Sequence, residues 1–143
     1  MLPWRFVGSA FYVNKTLLEK AGVPIPKAGW TWQDWRTWAK QVRDEKAGVW
    51  GTSTPGGQIH QAYFMQAGAY GPLTEDLSKS NFLDPGIKEA VQFFADLILK
   101  DRVAPKPEEL PQGQDLFLSN RIGLHPSASW NLPAYRKAEF DWE

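Results

Sequence analysis

The sequence predicts an α/β layered domain, a short sheet flanked by helices, and three observations carry that prediction. Short β-leaning runs, "GSAFYVN", "VWGT" and "RIGLHP", alternate along the chain with longer segments of helical period. The clearest of those segments, "DPGIKEAVQFFADLILKDR", concentrates its apolar residues on one stripe, which must be buried against a sheet or another helix. A length of 143 residues suffices for one domain with a real core and does not suggest two, so residues 1-143 are read as a single domain.

The elements follow in order. "GSAFYVN" (Gly8 to Asn14) is aromatic and β-leaning and reads as a buried strand. Asn14 can cap the helix "KTLLEKAG", where Leu17, Leu18 and Ala21 share a face, with Gly22 at its left-handed end and Pro24 beyond. After the loop "VPIPKAG", Thr31 is the expected N-cap of a second helix, with Asp34 in its first turn. Trp32, Trp35, Ala39 and Val42 form one stripe of that helix and Trp38 lies beside it, so the tryptophans are expected to be scaffold. "VWGTSTPGG" reads as a short strand running into a glycine-containing loop, and a helix follows in "QIHQAYFMQAGA". "YGPLTEDLSKSNF" is loop. The next helix has Asp84 as N-cap, Pro85 at its first position, and Ile87, Ala90, Val91, Phe94, Leu97 and Ile98 on its stripe, with Lys100 and Arg102 in the last turn. "APKPEELPQG" is a proline-rich connector, and "QDLFLSN" is expected to be a short helix stopped at Asn120. "RIGLHP" makes another strand, followed by a turn at Trp130, a helix through "LPAYRKA" and a strand start in "FDWE".

Composition removes several classes of function. Lys+Arg and Asp+Glu balance at 16 each, so no basic field points to nucleic acid or an anionic membrane surface. There is no cysteine, hence no disulfide or thiolate chemistry. No apolar run approaches the roughly 18 residues of a membrane span, and no signal peptide precedes the fold in this chain. Glycine-rich phosphate loops, HExxH and GxSxG are all missing, and with His60 and His125 far apart no metal or other cofactor is expected. Asp141 and Glu143 would share a strand face and could in principle serve glycoside hydrolysis, but a solvated strand end is the simpler account. Nothing else assembles an acid, a base and a nucleophile, so an enzyme is not expected.

Binding remains. Aromatics make up 14% of the chain, with eight tryptophans, a density that serves large cores or sites for ligands with flat apolar faces. Polar-plus-aromatic loops follow strand ends in "PWRF", "TPGGQIHQ" and "HPSASW", where open α/β sheets form their ligand crevice. The candidate ligand-binding residues are Trp130, His60, Gln58, Gln61, Trp4 and Arg5. Each has an ordinary structural alternative: Trp130 as core, His60 as a satisfied surface residue, Trp4 and Arg5 as a chain start.

Three stretches carry a resemblance to a known family. "FYVNKTLLEKAGVPIPKAGWTWQDW", "FLDPGIKEAVQFFADLILKDRVAP" and "LFLSNRIGLHPSASWNLPAY" resemble, in order and at matching spacing, segments of the extracellular solute-binding proteins of ABC importers, the group containing maltose-binding protein. Asn120 stands where that family usually has glycine, and Gly123 where it usually has alanine. The resemblance implies one lobe of a type II periplasmic-binding-protein-like fold. It also implies a ligand that is a sugar or oligosaccharide, and an ABC permease as partner of the full-length parent. Extracellular or periplasmic residence follows, with a lipid anchor on the parent. It implies that Trp130 stacks on sugar, and that Gln58, His60, Gln61, Trp4 and Arg5 face the cleft. Because family members are much longer, the chain is expected to be the core of the C-terminal lobe, with the second lobe outside it. A stand-alone carbohydrate-binding module and a fragment of a glycoside-active enzyme are the competing readings.

Overall fold

The computed structural model of the protein describes residues 7–56, 59–110 and 112–143. At its centre are three strands, β1 (Ser9–Val13), β2 (Trp50–Thr52) and β3 (Ile122–Ala128), with β3 in the middle. β3 runs antiparallel to β1, with Tyr12 opposite His125 and Val13 opposite Leu124, and parallel to β2, with Thr52 beside Leu124. Residues opposed across an antiparallel pair share a face. Val13, Leu124 and Ala128 accordingly enter the larger core with the helices, whereas Tyr12 and His125 meet Phe117 and Tyr135 on the other side.

The first two helices start as their capping residues dictate. Asn14, wholly buried, accepts from the Leu17 N–H at 3.0 Å to begin α1 (Lys15–Lys20), and its amide donates to Asn120 Oδ1 at 2.7 Å. Gly22, at φ +67°, takes the left-handed conformation that lets the chain turn away. Thr31 and Asp34 form a reciprocal capping box at the head of α2 (Trp32–Val42). The stripe of α2 is the one its spacing predicts: Trp35 and Ala39 are wholly buried, Val42 nearly so, and Trp32 and Trp38 pack partly buried against the same core. Trp35 also satisfies its indole, donating from Nε1 to Thr52 Oγ1 at 2.9 Å. At Gly51 the sheet presses so close to α2 that any Cβ would collide with the Ala39 carbonyl. On the outer face of α2, Arg36 and Lys40 both bind Asp101. Burial pushes the Asp101 carboxyl up, but the bonds from Arg36 and Lys40 outweigh it and hold the group below the usual carboxylate range.

α3 (His60–Gln66) and α4 (Pro85–Leu99) complete the larger core, with Tyr63, Phe64, Ile87, Ala90, Phe94 and Leu97 buried. Asp84 caps α4 through the Gly86 N–H at 2.8 Å, with Pro85 in the first turn. Val91, expected on the buried stripe, is 52% exposed. It follows Ala90 by about 100° around the axis, off the narrow face that Ile87, Ala90, Phe94 and Leu97 share. Lys100 only caps α4, and Arg102 lies beyond it at φ +55°, binding Glu109 at 2.8 Å instead of the helix end.

Two expected helices are shorter than their patterns. Residues 114–120 make a single capped turn: the Asp115 carboxylate accepts the Phe117 and Leu118 N–H groups as an N-cap does, and Asn120, left-handed at φ +56°, ends the turn before a helix can extend. "LPAYRKA" keeps four helical residues, α5 (Leu132–Tyr135), after a 3₁₀ turn at Ser129–Asn131. In the closing segment Trp142 bridges antiparallel to Asn14, and Asp141, 68% exposed in its side chain, pairs with Lys15 at 2.9 Å. Among the described residues no helix is long and apolar enough to cross a membrane.

Candidate functional site

β2 and β3 run parallel, so both present their carboxyl ends to the same region, and the segments that follow them enclose a cleft of about 590 Å³. Ser53, Thr54 and Gly56 come from the loop after β2; His125, Pro126 and Ser127 from the end of β3; Trp130, Asn131 and Tyr135 from the turn and helix beyond. Asp115 and Phe117 enter from the capped turn, and Ile59 and Leu110 add apolar surface.

The lining is ordered by ring contacts and hydrogen bonds among buried and half-buried groups. The His125 ring lies stacked against Tyr12 and Phe117, and its Nδ1 is 2.7 Å from Ser53 Oγ. Burial lowers its pKa to about 4, with Asp115 opposing the shift only in part, so the imidazole is neutral at neutral pH. Tyr135, wholly buried, donates to Asp115 Oδ2 at 3.0 Å. Asn131 Nδ2 donates both to the Tyr135 hydroxyl at 3.0 Å and to Ser127 Oγ at 2.8 Å. Burial raises the Tyr135 phenol and Asp115 raises it further, so it stays an O–H donor.

Trp130 lines the same cleft and is 56% exposed. Its turn is fastened from behind: Ser129 N–H donates to the Gly8 carbonyl at 2.9 Å, and Gly8 N–H returns to Ser129 Oγ at 3.2 Å. The indole is therefore held out of the core by a backbone that has little freedom.

The other sequence candidates are placed differently. His60 opens α3 next to the cleft residue Ile59, but its ring packs along Phe64 and edge-on to Phe94, and it is not among the cleft-lining residues. Gln61 is exposed and lines a separate hollow of about 80 Å³ with Tyr70, Gly71, Pro72, Leu73 and Leu77. Trp4, Arg5 and Gln58 lie outside the described residues. Trp130 is thus brought together with residues that sequence reasoning passed over, namely Ser53, Asp115, His125, Ser127, Asn131 and Tyr135. For His125 and Ser127 a signal existed, since strand alternation puts them on one face with the turn of Trp130 just beyond. No local pattern announces that Asp115 meets Tyr135, twenty positions on. Among the described residues no group of three or more His, Asp or Glu side chains could hold a metal ion.

Comparisons with known proteins come in two kinds. The family model for bacterial extracellular solute-binding proteins matches residues 2–142. No curated protein matches the chain by sequence. Among solved structures, an ABC substrate-binding protein from Listeria monocytogenes in complex with cycloalternan is 32% identical at a TM-score of 0.87, over 96% of this chain and 36% of that one. An ABC transporter solute-binding protein from Thermotoga lettingae bound with α-D-tagatose is 26% identical at 0.80, over 96% of this chain and 37% of its own. A maltose/maltodextrin-binding domain from Bdellovibrio bacteriovorus, 20% identical at 0.73 over 96% of this chain and 36% of its own, shares the fold. The chain therefore spans little more than a third of the length of the structures it resembles.

Proposed function

Given that the chain belongs to the family of bacterial extracellular solute-binding proteins, we propose that it forms one wall of a saccharide-binding cleft in a protein that hands its ligand to an ABC importer. Trp130 carries this reading. An indole more than half exposed, on a fastened turn that lines the cleft, suits the apolar face of a pyranose ring, and the hydroxyl, amide and carboxylate groups that line the same cleft suit the ring hydroxyls. The carbohydrates held by the Listeria and Thermotoga proteins, both above 25% identity, support the same class of ligand.

In this proposal the chain is the core of the C-terminal lobe, and a second lobe closes over the ligand about a hinge. The closed form is what the permease receives. The protein acts outside the cytoplasmic membrane, held there by a lipid anchor, and catalyses nothing. Gln58, His60, Gln61, Trp4 and Arg5 are proposed, with Trp130, as ligand-binding residues of the full-length protein.

Isothermal titration of the full-length protein with cycloalternan, D-tagatose and maltotriose tests the reading, alongside an assay of glycoside hydrolysis. Binding of at least one of them without turnover is expected. Hydrolysis, or failure to bind any carbohydrate in a broad panel, would count against it.

A further inference from the structure

The hydrogen bonds of the cleft lining have a direction, and that direction says something about charge. A carboxylate at neutral pH only accepts, so the Tyr135 hydroxyl must donate to Asp115 Oδ2. Its oxygen then accepts from Asn131, which fixes the Asn131 amide with its NH₂ turned inward, where both hydrogens are used by Tyr135 and Ser127. The atom the amide has left to offer is Oδ1, an acceptor. Asp115 is pinned as well: Oδ1 takes two backbone N–H groups, Phe117 at 2.8 Å and Leu118 at 3.1 Å, while the residue as a whole remains exposed at the cleft. Among the described residues lining the cleft there is no Lys or Arg, and His125 is uncharged at neutral pH.

We infer that this wall selects uncharged, hydroxyl-rich saccharides against anionic ones, with Asp115 as the residue that determines the selection. The inference rests on the saccharide reading above and deepens it. Hydroxyls are donors and meet acceptors already oriented by the protein. A uronate or phosphate brings a second negative charge and only acceptor oxygens toward Asp115 and Asn131, and no described residue lining the cleft is a Lys or Arg that could receive them; Arg5 lies outside the described residues. The carboxylate cannot swing aside without giving up its backbone bonds.

The test is calorimetry on the full-length protein with matched pairs: maltose and maltobionate, D-glucose and D-glucuronate, D-tagatose and tagatose 6-phosphate. In each pair that binds, the neutral member is expected to bind at least about tenfold more tightly. Asp115→Asn keeps an oxygen for the Phe117 and Leu118 N–H groups and removes the charge, so the preference should narrow severalfold with little change in thermal melting. An anionic member that binds as well as its neutral partner overturns the inference and leaves the saccharide reading standing. A preference undiminished in folded Asp115→Asn overturns the role of Asp115. If that variant does not fold, the wild-type preference decides the selectivity, and Tyr135→Phe, which frees Asp115 Oδ2, decides the role by sharpening or not sharpening it. Absence of binding by every saccharide, neutral or charged, refutes the proposed function and this inference with it.

Discussion

Trp130 and His125 sit a few residues apart and put opposite demands on their surroundings, one held in water and the other kept from it. Replacing Trp130 by Ala should weaken saccharide binding by roughly 1–3 kcal/mol, the scale of a lost aromatic contact and its buried area. Because the indole is 56% exposed, stability should change by no more than about 0.5 kcal/mol. Titration calorimetry and thermal melting of the same sample separate the two effects, and a large melting loss would return the residue to the core. His125 is instead a stability element. Burial depresses its pKa from an ordinary value near 6.5 to about 4, so between those values the unfolded chain binds the proton and the folded one does not. Its contribution is complete above pH ~6.5 and declines as the pH falls toward ~4, by up to roughly 3 kcal/mol. Urea unfolding of the wild type and His125→Gln at several pH values should show that difference. Carboxylates titrating over the same range cancel between the two proteins, and parallel pH profiles would show that His125 is not desolvated.

At the scale of elements, α2 is the piece that the rest is built on. It buries Trp35 and Ala39, receives the backbone of β2 at Gly51 and is tied through Arg36 and Lys40 to Asp101 beyond α4. Trp35→Ala should cost about 3–5 kcal/mol, since it removes a wholly buried indole and leaves Thr52 Oγ1 without that donor. Chemical denaturation measures this directly, and a loss below about 1 kcal/mol would mean that the tryptophan stripe is not the scaffold. α2 is also legible in the sequence, because its cap, its acidic first turn and its period all lie within a dozen residues of one another. The same holds for Asn14 before α1 and Asp84 before α4. Legibility failed where tertiary contacts decide. Nothing local tells that the turn capped by Asp115 stays a single turn, or that the stripe of α4 is too narrow to include Val91. The site was read in the same proportion. An indole after a strand end is a local signal, whereas the Asp115–Tyr135–Asn131 relay exists only once the turn at 114–120 is folded against α5.

For the whole molecule the governing fact is that the chain spans about 36% of the length of the ABC substrate-binding protein from Listeria. If the chain is one wall of the cleft, as proposed, a ligand on it stays largely in water, whereas a formed pocket covers roughly 70–90% of a ligand's surface. Losing even about 4 kcal/mol of contact moves a micromolar dissociation constant to about millimolar. Calorimetry on these 143 residues alone should therefore detect weak or no binding of a sugar that the full-length protein holds well. Micromolar binding by the chain alone would favour a self-sufficient module. Trp130 offers a further way to watch this. An indole in water emits at longer wavelength than one covered by an apolar surface, and of the eight tryptophans it is the one placed on the described cleft wall. A ligand seated on it displaces that water, so occupancy should appear as a blue shift in the light the protein already emits. The shift should be absent from Trp130→Phe, and it needs no dye, label or chromogenic sugar.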